Sequence, residues 1–161
     1  MSESTKVASI RSRREALFQA AVGLEDALAG PIGDHERWRL RVAMAVDHAV
    51  ARISEHIAQT EGPGNILDEI VAVAPRLDRR VKQIKVDHEH LEKAAHTLAL
   101  AVAELSSEHD DLTPEQMEDA AIAVRNQAVE VMGQITRHRQ RGADLLYEAY
   151  NVDLGNSASG L

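Results

Sequence analysis

No cysteine occurs anywhere in the chain. That excludes disulfide stapling, thiolate catalysis and any thiolate-bound metal or iron–sulfur cluster, and it makes a reducing cytoplasm the expected compartment. Aromatic residues are nearly as scarce, at 2% of the sequence, while Ala, Val, Leu and Ile abound; small aliphatic side chains of this kind suit closely packed helices. No run is long and apolar enough to span a bilayer. The opening Met1-SESTKVAS lacks the cationic start and apolar stretch of a secretory signal, so no membrane association is expected. Positive charge is also in deficit: a formal net charge of −8 opposes binding to phosphate backbones, and nucleic acid is not an expected partner. The basic clusters at Arg11–Arg14, Arg76–Lys85 and Arg137–Arg141 are interleaved with apolar positions at helical spacing, the pattern of solvated helix faces. There is no Gly-x-Ser-x-Gly elbow and no phosphate loop, so catalysis by an activated nucleophile has no motif behind it and no catalytic residue can be named.

What the 161 residues do contain is one domain's worth of helical signals. Ser12-Arg13-Arg14-Glu15 has capping-box spacing and predicts a first helix from there to about Gly30-Pro31-Ile32-Gly33. Asp34 can cap a second, longer helix ending at Glu61-Gly62-Pro63-Gly64, where GPGN reads as a turn. Asn65 can cap a short helix through Ala74, and Pro75 starts a third long helix lasting to about Ser106. Thr113-Pro114-Glu115-Gln116 combines a cap, a first-position proline and a reciprocal glutamine, and opens a fourth long helix to about Tyr150. No stretch alternates with the period of a strand. The expected fold is therefore all-α: an up-down-up-down four-helix bundle over residues 12–150, with a short extra helix between the second and third long ones. Residues 1–11 and 151–161 are expected to be flexible ends.

Steps of three and four residues mark the buried stripe of each long helix. On the second helix it runs Val42, Val46, Ala49, Ile53, His56, Thr60. The third gives Leu77, Val81, Ile84, His88, Leu91, Ala95, Leu98, Val102, Leu105, and the fourth Met117, Ala121, Val124, Ala128, Val131, Ile135, His138, Gly142, Leu145. Each apolar stripe thus carries one histidine. His48, His90 and His96 fall off the stripes, and His35 and His109 lie near helix ends, so these five are expected to face solvent. At about 1.5 Å per residue His56 lies roughly 33 Å above Asp34, His138 roughly 35 Å above Glu115, and His88 roughly 27 Å above Ser106 on the oppositely running third helix. The three heights agree to about two turns, which predicts a cluster of imidazoles near one end of the bundle. A single such histidine is usually a core residue with one hydrogen bond. Three together make a metal site the sharper alternative, and neutral imidazole suits zinc, iron, copper or nickel.

A bundle with an inward histidine on successive helices resembles the hemerythrin-like proteins, the HHE cation-binding domains. The likeness is carried by His56 followed by Thr60-Glu61, by Asp87-His88 followed by Leu91, and by His138; the segment HRQRGADLLYEAYNVDLG is also similar to the family. The resemblance implies iron bound through His56, His88 and His138, with Glu61 matching one of the acids that follow the second-helix histidine. Glu92, one turn after His88, is a further candidate ligand. It also implies a protein that senses or detoxifies O2, NO or peroxide. The pattern is incomplete: residues 12–30 hold no histidine, and Thr60 and Gly142 stand where bridging carboxylates are expected. What remains suits a single ion, or a degenerate two-iron site, better than a full two-iron centre. The alternative is a metal-free interaction or regulatory protein on the same scaffold, acting on a protein partner or a second copy of itself, with the segment around Tyr147 and Tyr150 as a candidate contact surface.

Overall fold

The computed structural model describes the backbone of residues 3–31, 33–108 and 111–156, and among these it is helical with no strand. Four long helices, α1 (Glu3–Ala29), α2 (His35–Glu61), α4 (Asp78–Glu108) and α5 (Pro114–Asn156), are joined by short turns. The short helix α3 (Ile66–Val73) and a single 3-10 turn over Pro75–Leu77 lie between α2 and α4. No helix among the described residues is long and apolar enough to cross a membrane.

The helix starts follow local chemistry. Asp34 accepts from the Arg37 amide at 3.1 Å and Asn65 from the Leu67 amide at 3.2 Å, so each cap satisfies a donor that the first turn leaves open. At α5 the box closes in both directions: the Gln116 amide donates to Thr113 Oγ1 at 3.3 Å and the Thr113 amide to Gln116 Oε1 at 2.9 Å. Between α2 and α3 the chain turns at Gly64, whose φ of 71° lies in the left-handed region that a Cβ disfavours.

Two limits differ from expectation. Helix α1 begins at Glu3, ahead of Ser12, and α5 continues past Tyr150 to Asn156, so helical backbone runs through both of the boundaries at which flexible ends were expected. The reason is the lack of a breaker: no Gly or Pro stands between Glu3 and Ser12, and the first glycine after Tyr150 is Gly155. A Ser-x-x-Glu spacing is compatible with a helix interior when no breaker precedes it. His109 and residues 157–161 lie outside the described residues.

Every position of the three predicted stripes is buried, except Gly142, which is half-buried. Helix α1 packs on α2 and α5, and α4 also packs on both α2 and α5. The apolar side chains form two clusters. The larger joins Leu17 and Leu24 of α1, Trp38 and Ile53 of α2, Leu91 and Leu98 of α4 and Val131 and Ile135 of α5. The smaller gathers Leu67 and Ile70 of α3, Leu77, Val81, Ile84 and Leu145. Along their helices His88 lies between Ile84 of the smaller cluster and Leu91 of the larger, and His138 between Ile135 of the larger and Leu145 of the smaller. A polar layer therefore separates two apolar ones.

The far end of α1 is held by cations from other helices. Arg125 of α5 donates to the carbonyls of Leu28, at 3.1 and 3.3 Å, and of Gly30, at 3.2 Å; Arg41 of α2 donates to Ala27 at 3.4 Å. These are the carbonyls a helix C-terminus leaves without partners, where positive charge is favoured. Arg125 also lies over the buried Trp38 ring, 5.7 Å from its centroid. Replacing Arg125 with alanine is expected to destabilise the protein by about 1.5–3 kcal/mol, the usual worth of hydrogen bonds from a charged donor. Urea unfolding followed through the fluorescence of Trp38, the sole tryptophan, measures the loss. An unchanged midpoint would show that the clamp contributes nothing.

Candidate metal centre

Helices α2, α4 and α5 each deliver one histidine to a common point. His88, His138 and His56 are 1%, 5% and 8% exposed, and each offers a ring nitrogen such that the three nitrogens lie within 4.8 Å of one another. The ring centroids are 5.3 Å apart for His56 and His88, 5.0 Å for His56 and His138, and 4.6 Å for His88 and His138. His56 Nε2 and His138 Nε2 approach to 2.9 Å, so in the neutral rings one donates and the other accepts.

Glu61, the last residue of α2, reaches across to His88, with Oε1 2.5 Å from Nδ1. A carboxylate only accepts, so Nδ1 carries the proton. Burial holds the His88 pKa below its ordinary 6.5: desolvation of the imidazolium outweighs the opposing hydrogen bond and charge of Glu61 and the charge of Asp87, and Lys85 lowers it further. His88 is thus neutral at pH 7, with its lone pair on Nε2, an atom that is sealed from solvent and has no hydrogen-bond partner. A buried imidazole fixed in one tautomer by a carboxylate behind it is how proteins present a histidine to a metal.

Of the residues singled out from the sequence, His56, His88 and His138 come together. Glu61 joins them behind His88, outside the group of three nitrogens. Glu92 does not join them: it is exposed and lines a separate groove with Glu89 and His96. Leu91, three positions after His88, lies about 60° to one side of it and Glu92, four positions on, about 40° to the other; the two are about 100° apart, and the buried stripe follows Leu91. Thr60 is buried, but its hydroxyl donates back to the His56 carbonyl at 2.7 Å, which occupies it on its own helix. His35, His48, His90 and His96 are exposed, as their positions off the stripes imply.

Beside the imidazoles lies a cavity of about 60 Å³. Its walls are Leu17 of α1, Leu67 and Ile70 of α3, Ile84, Leu145 and Leu146, with Thr60, Gly142 and Arg139 completing it. Helix α1 contributes only the aliphatic Leu17 to these walls. Gly142 leaves open space, since a Cβ there would meet nothing within 4 Å. Arg139 belongs to the basic cluster expected to form a solvated face; it is instead half-buried and lines the cavity. Helix α3 was legible as a short helix capped by Asn65, but which of its residues face the cavity was not.

Comparison of the chain with protein-family models, with curated proteins and with solved structures finds no match.

The depressed His88 pKa has a defined linkage. Below pH 6.5 the unfolded chain takes up a proton that the folded protein resists, so the unfolded state binds more protons and stability falls with falling pH. Chelator-treated protein is expected to lose melting temperature as pH is lowered from 7.5 through 6.5 toward 5.5. His88→Gln should show a shallower loss over the same range; an equally steep loss in that variant would assign the effect elsewhere.

Proposed function

We propose that this chain is a divergent hemerythrin-like protein whose four long helices alternate in direction, up-down-up-down, around one metal ion held by His56, His88 and His138. The observation that carries the reading is the convergence of three buried imidazoles from three helices, one of them set by Glu61 so that its bare nitrogen faces inward. The donor set passes a simple test of fit. Two nitrogens on one ion at about 2.0–2.1 Å lie at most about 4.2 Å apart. The 2.9 Å pair already meets that limit, and small side-chain rotations bring the third ring within it.

Iron is the metal that the resemblance favours, and zinc, copper or nickel would suit the same ligands. Bound there, the ion would supply Lewis acidity and, if iron, one-electron redox chemistry. Glu61 would hold the His88 ring and raise its basicity. The apolar walls would keep bulk water from the site and admit a ligand the size of O2, NO or peroxide, which suits sensing or detoxification. One ion is favoured over two, because Thr60 is committed to its own helix, Gly142 offers no side chain and Glu92 faces solvent. The lack of cysteine suits a reducing cytoplasm.

The metal-free reading has one observation of its own: His56 with His138, and His88 with Glu61, form hydrogen bonds that serve a buried polar layer without any ion. Exposed Tyr147 would then belong to a contact surface for a protein partner or a second copy.

Untagged protein supplemented with iron or zinc is expected to hold one equivalent of metal by elemental analysis, and His88→Ala to hold almost none. Chelation should lower the melting temperature by about 5–10 °C, since saturation at a hundredfold excess over Kd is worth about 2.7 kcal/mol and each kcal/mol moves a domain of this size by about 2–4 °C. Substoichiometric metal that His88→Ala leaves unchanged would remove the reading in favour of the metal-free one. Gly142→Glu, which places a carboxylate one turn after His138, is expected to raise metal retention on dialysis. Equal retention would mean that this position does not face the ion.

A further inference from the structure

The walls that close off the three imidazoles are unequal. Leu17 stands on α1, Ile84 on α4 and Leu145 on α5, helices of 27, 31 and 43 residues that each also pack into the larger apolar cluster. Helix α3 supplies Ile66, Leu67 and Ile70 to the same cavity, yet it has eight residues and none of them belongs to the larger cluster. Its hold is local. Leu67 and Ile70 insert beside Leu77, Val81, Ile84 and Leu145, and the ion pair from Asp68 to Lys85 of α4 is stretched to 4.0 Å between side chains 56% and 40% exposed, a contact of little worth.

Both ends of α3 carry breaks. Gly62-Pro63-Gly64 separates it from α2, with Gly64 turning in the left-handed region, and Pro75 follows Ala74 at the other end, where a proline interrupts the backbone ladder. The fixed point beside the first break is Glu61, which ends α2 and is tied to His88 at 2.5 Å. Helix α3 is thus tethered at two ends across the histidines, with a break at each tether.

We propose that α3 is a strap that lifts from the bundle about residues 62–64 and 74–75, and that this local opening is the entrance to the three histidines. Lifting it brings solvent to Nε2 of His88, which is sealed while the strap is down, and leaves Leu24, Ile53, Leu98 and Val131 packed on one another's cluster. The proposal deepens the metal-site reading and rests on it only for what passes beneath the strap; the motion itself needs no ion, so the two can fail separately.

Two probes read the opening in the full chain after chelation. Hydrogen exchange follows the Ala74 amide, bonded to the Ile70 carbonyl at 2.8 Å, against the amides of Ile53, Leu91 and Val131 in the larger cluster. Acylation by diethyl pyrocarbonate, mapped by mass spectrometry, follows His88. The reagent is larger than the benzene that occupies an apolar cavity of about 150 Å³, so a space of about 60 Å³ does not admit it while the strap is down. The expected result is exchange at Ala74 that precedes the three core amides and barely responds to low urea, the mark of local opening. Val71 packs on the smaller cluster without lining the cavity. Val71→Ala removes two carbons from this partly buried side chain and should speed Ala74 exchange and His88 acylation together, by about three- to tenfold, while the exposed His48 and His96 react as before. Pro63→Gly, at an exposed position of the first break, should speed both without removing any buried group. In metal-supplemented protein, release to excess chelator should quicken by the same factor. Exchange of Ala74 only together with the larger cluster, or His88 acylation or metal release that ignores both variants, overturns the proposal. A wild type that holds no metal overturns the metal-site reading alone, since exchange and acylation still report the strap.

Discussion

Three imidazoles occupy stripes that are otherwise aliphatic, and a buried polar ring must find partners or destabilise the fold. Here the partners come from other segments of the chain: His138 for His56, and Glu61 for His88. The contact between His56 and His138 joins residues 82 apart, and that between His88 and Glu61 joins residues 27 apart. The layer thus sets the register of α2, α4 and α5 at one level. Slipping any of the three by a turn would strand a polar group in an aliphatic layer. That penalty applies with or without a bound ion, so the layer is structural whatever further role it has.

Outside this layer the long helices are joined by aliphatic packing and a few charged contacts between helices. Asp87, beside His88, is held by Arg141 at 2.5 Å, and Arg80 pairs with Glu148, so α4 and α5 are tied on the flank of the site. At the opposite end, Arg125 and Arg41 hold the carbonyls of α1. Exposed ion pairs stabilise weakly, and the side chain of Asp87, at 10% exposed, is the one among them screened from water. Its location next to a candidate ligand makes that flank more rigid than a surface pair would.

Much of this was legible in the residue order, for identifiable reasons. The three stripes could be traced because a helix repeats its inward face every three or four residues, and the caps at Asp34, Asn65 and Thr113 could be named because their side chains serve local donors. The meeting of His56, His88 and His138 followed from their places on the stripes together with the helix rise. Glu61 was legible as an acid near the site, but its role behind His88 was not, since that depends on how the end of α2 faces α4. Glu92 illustrates the opposite error: a spacing of four suggested the same face, but the buried stripe turns from His88 to Leu91 on the other side, which leaves Glu92 in solvent. Arg139 was legible only as part of the solvated face of Arg137–Arg141, because its contact with Phe18 of α1 depends on helix packing that no local pattern encodes. The start of α1 was misplaced because a capping motif was read as a boundary where only the absence of a breaker mattered.

Helix α3 roofs the cavity with Leu67 and Ile70, and it is only eight residues long. A segment of that length is not stable as a helix in water and keeps its form by docking. Its undocking would open the smaller aliphatic cluster while leaving the larger one packed, a local excursion costing far less than global unfolding. Of the walls around the imidazoles, this short helix is therefore the one whose displacement costs least.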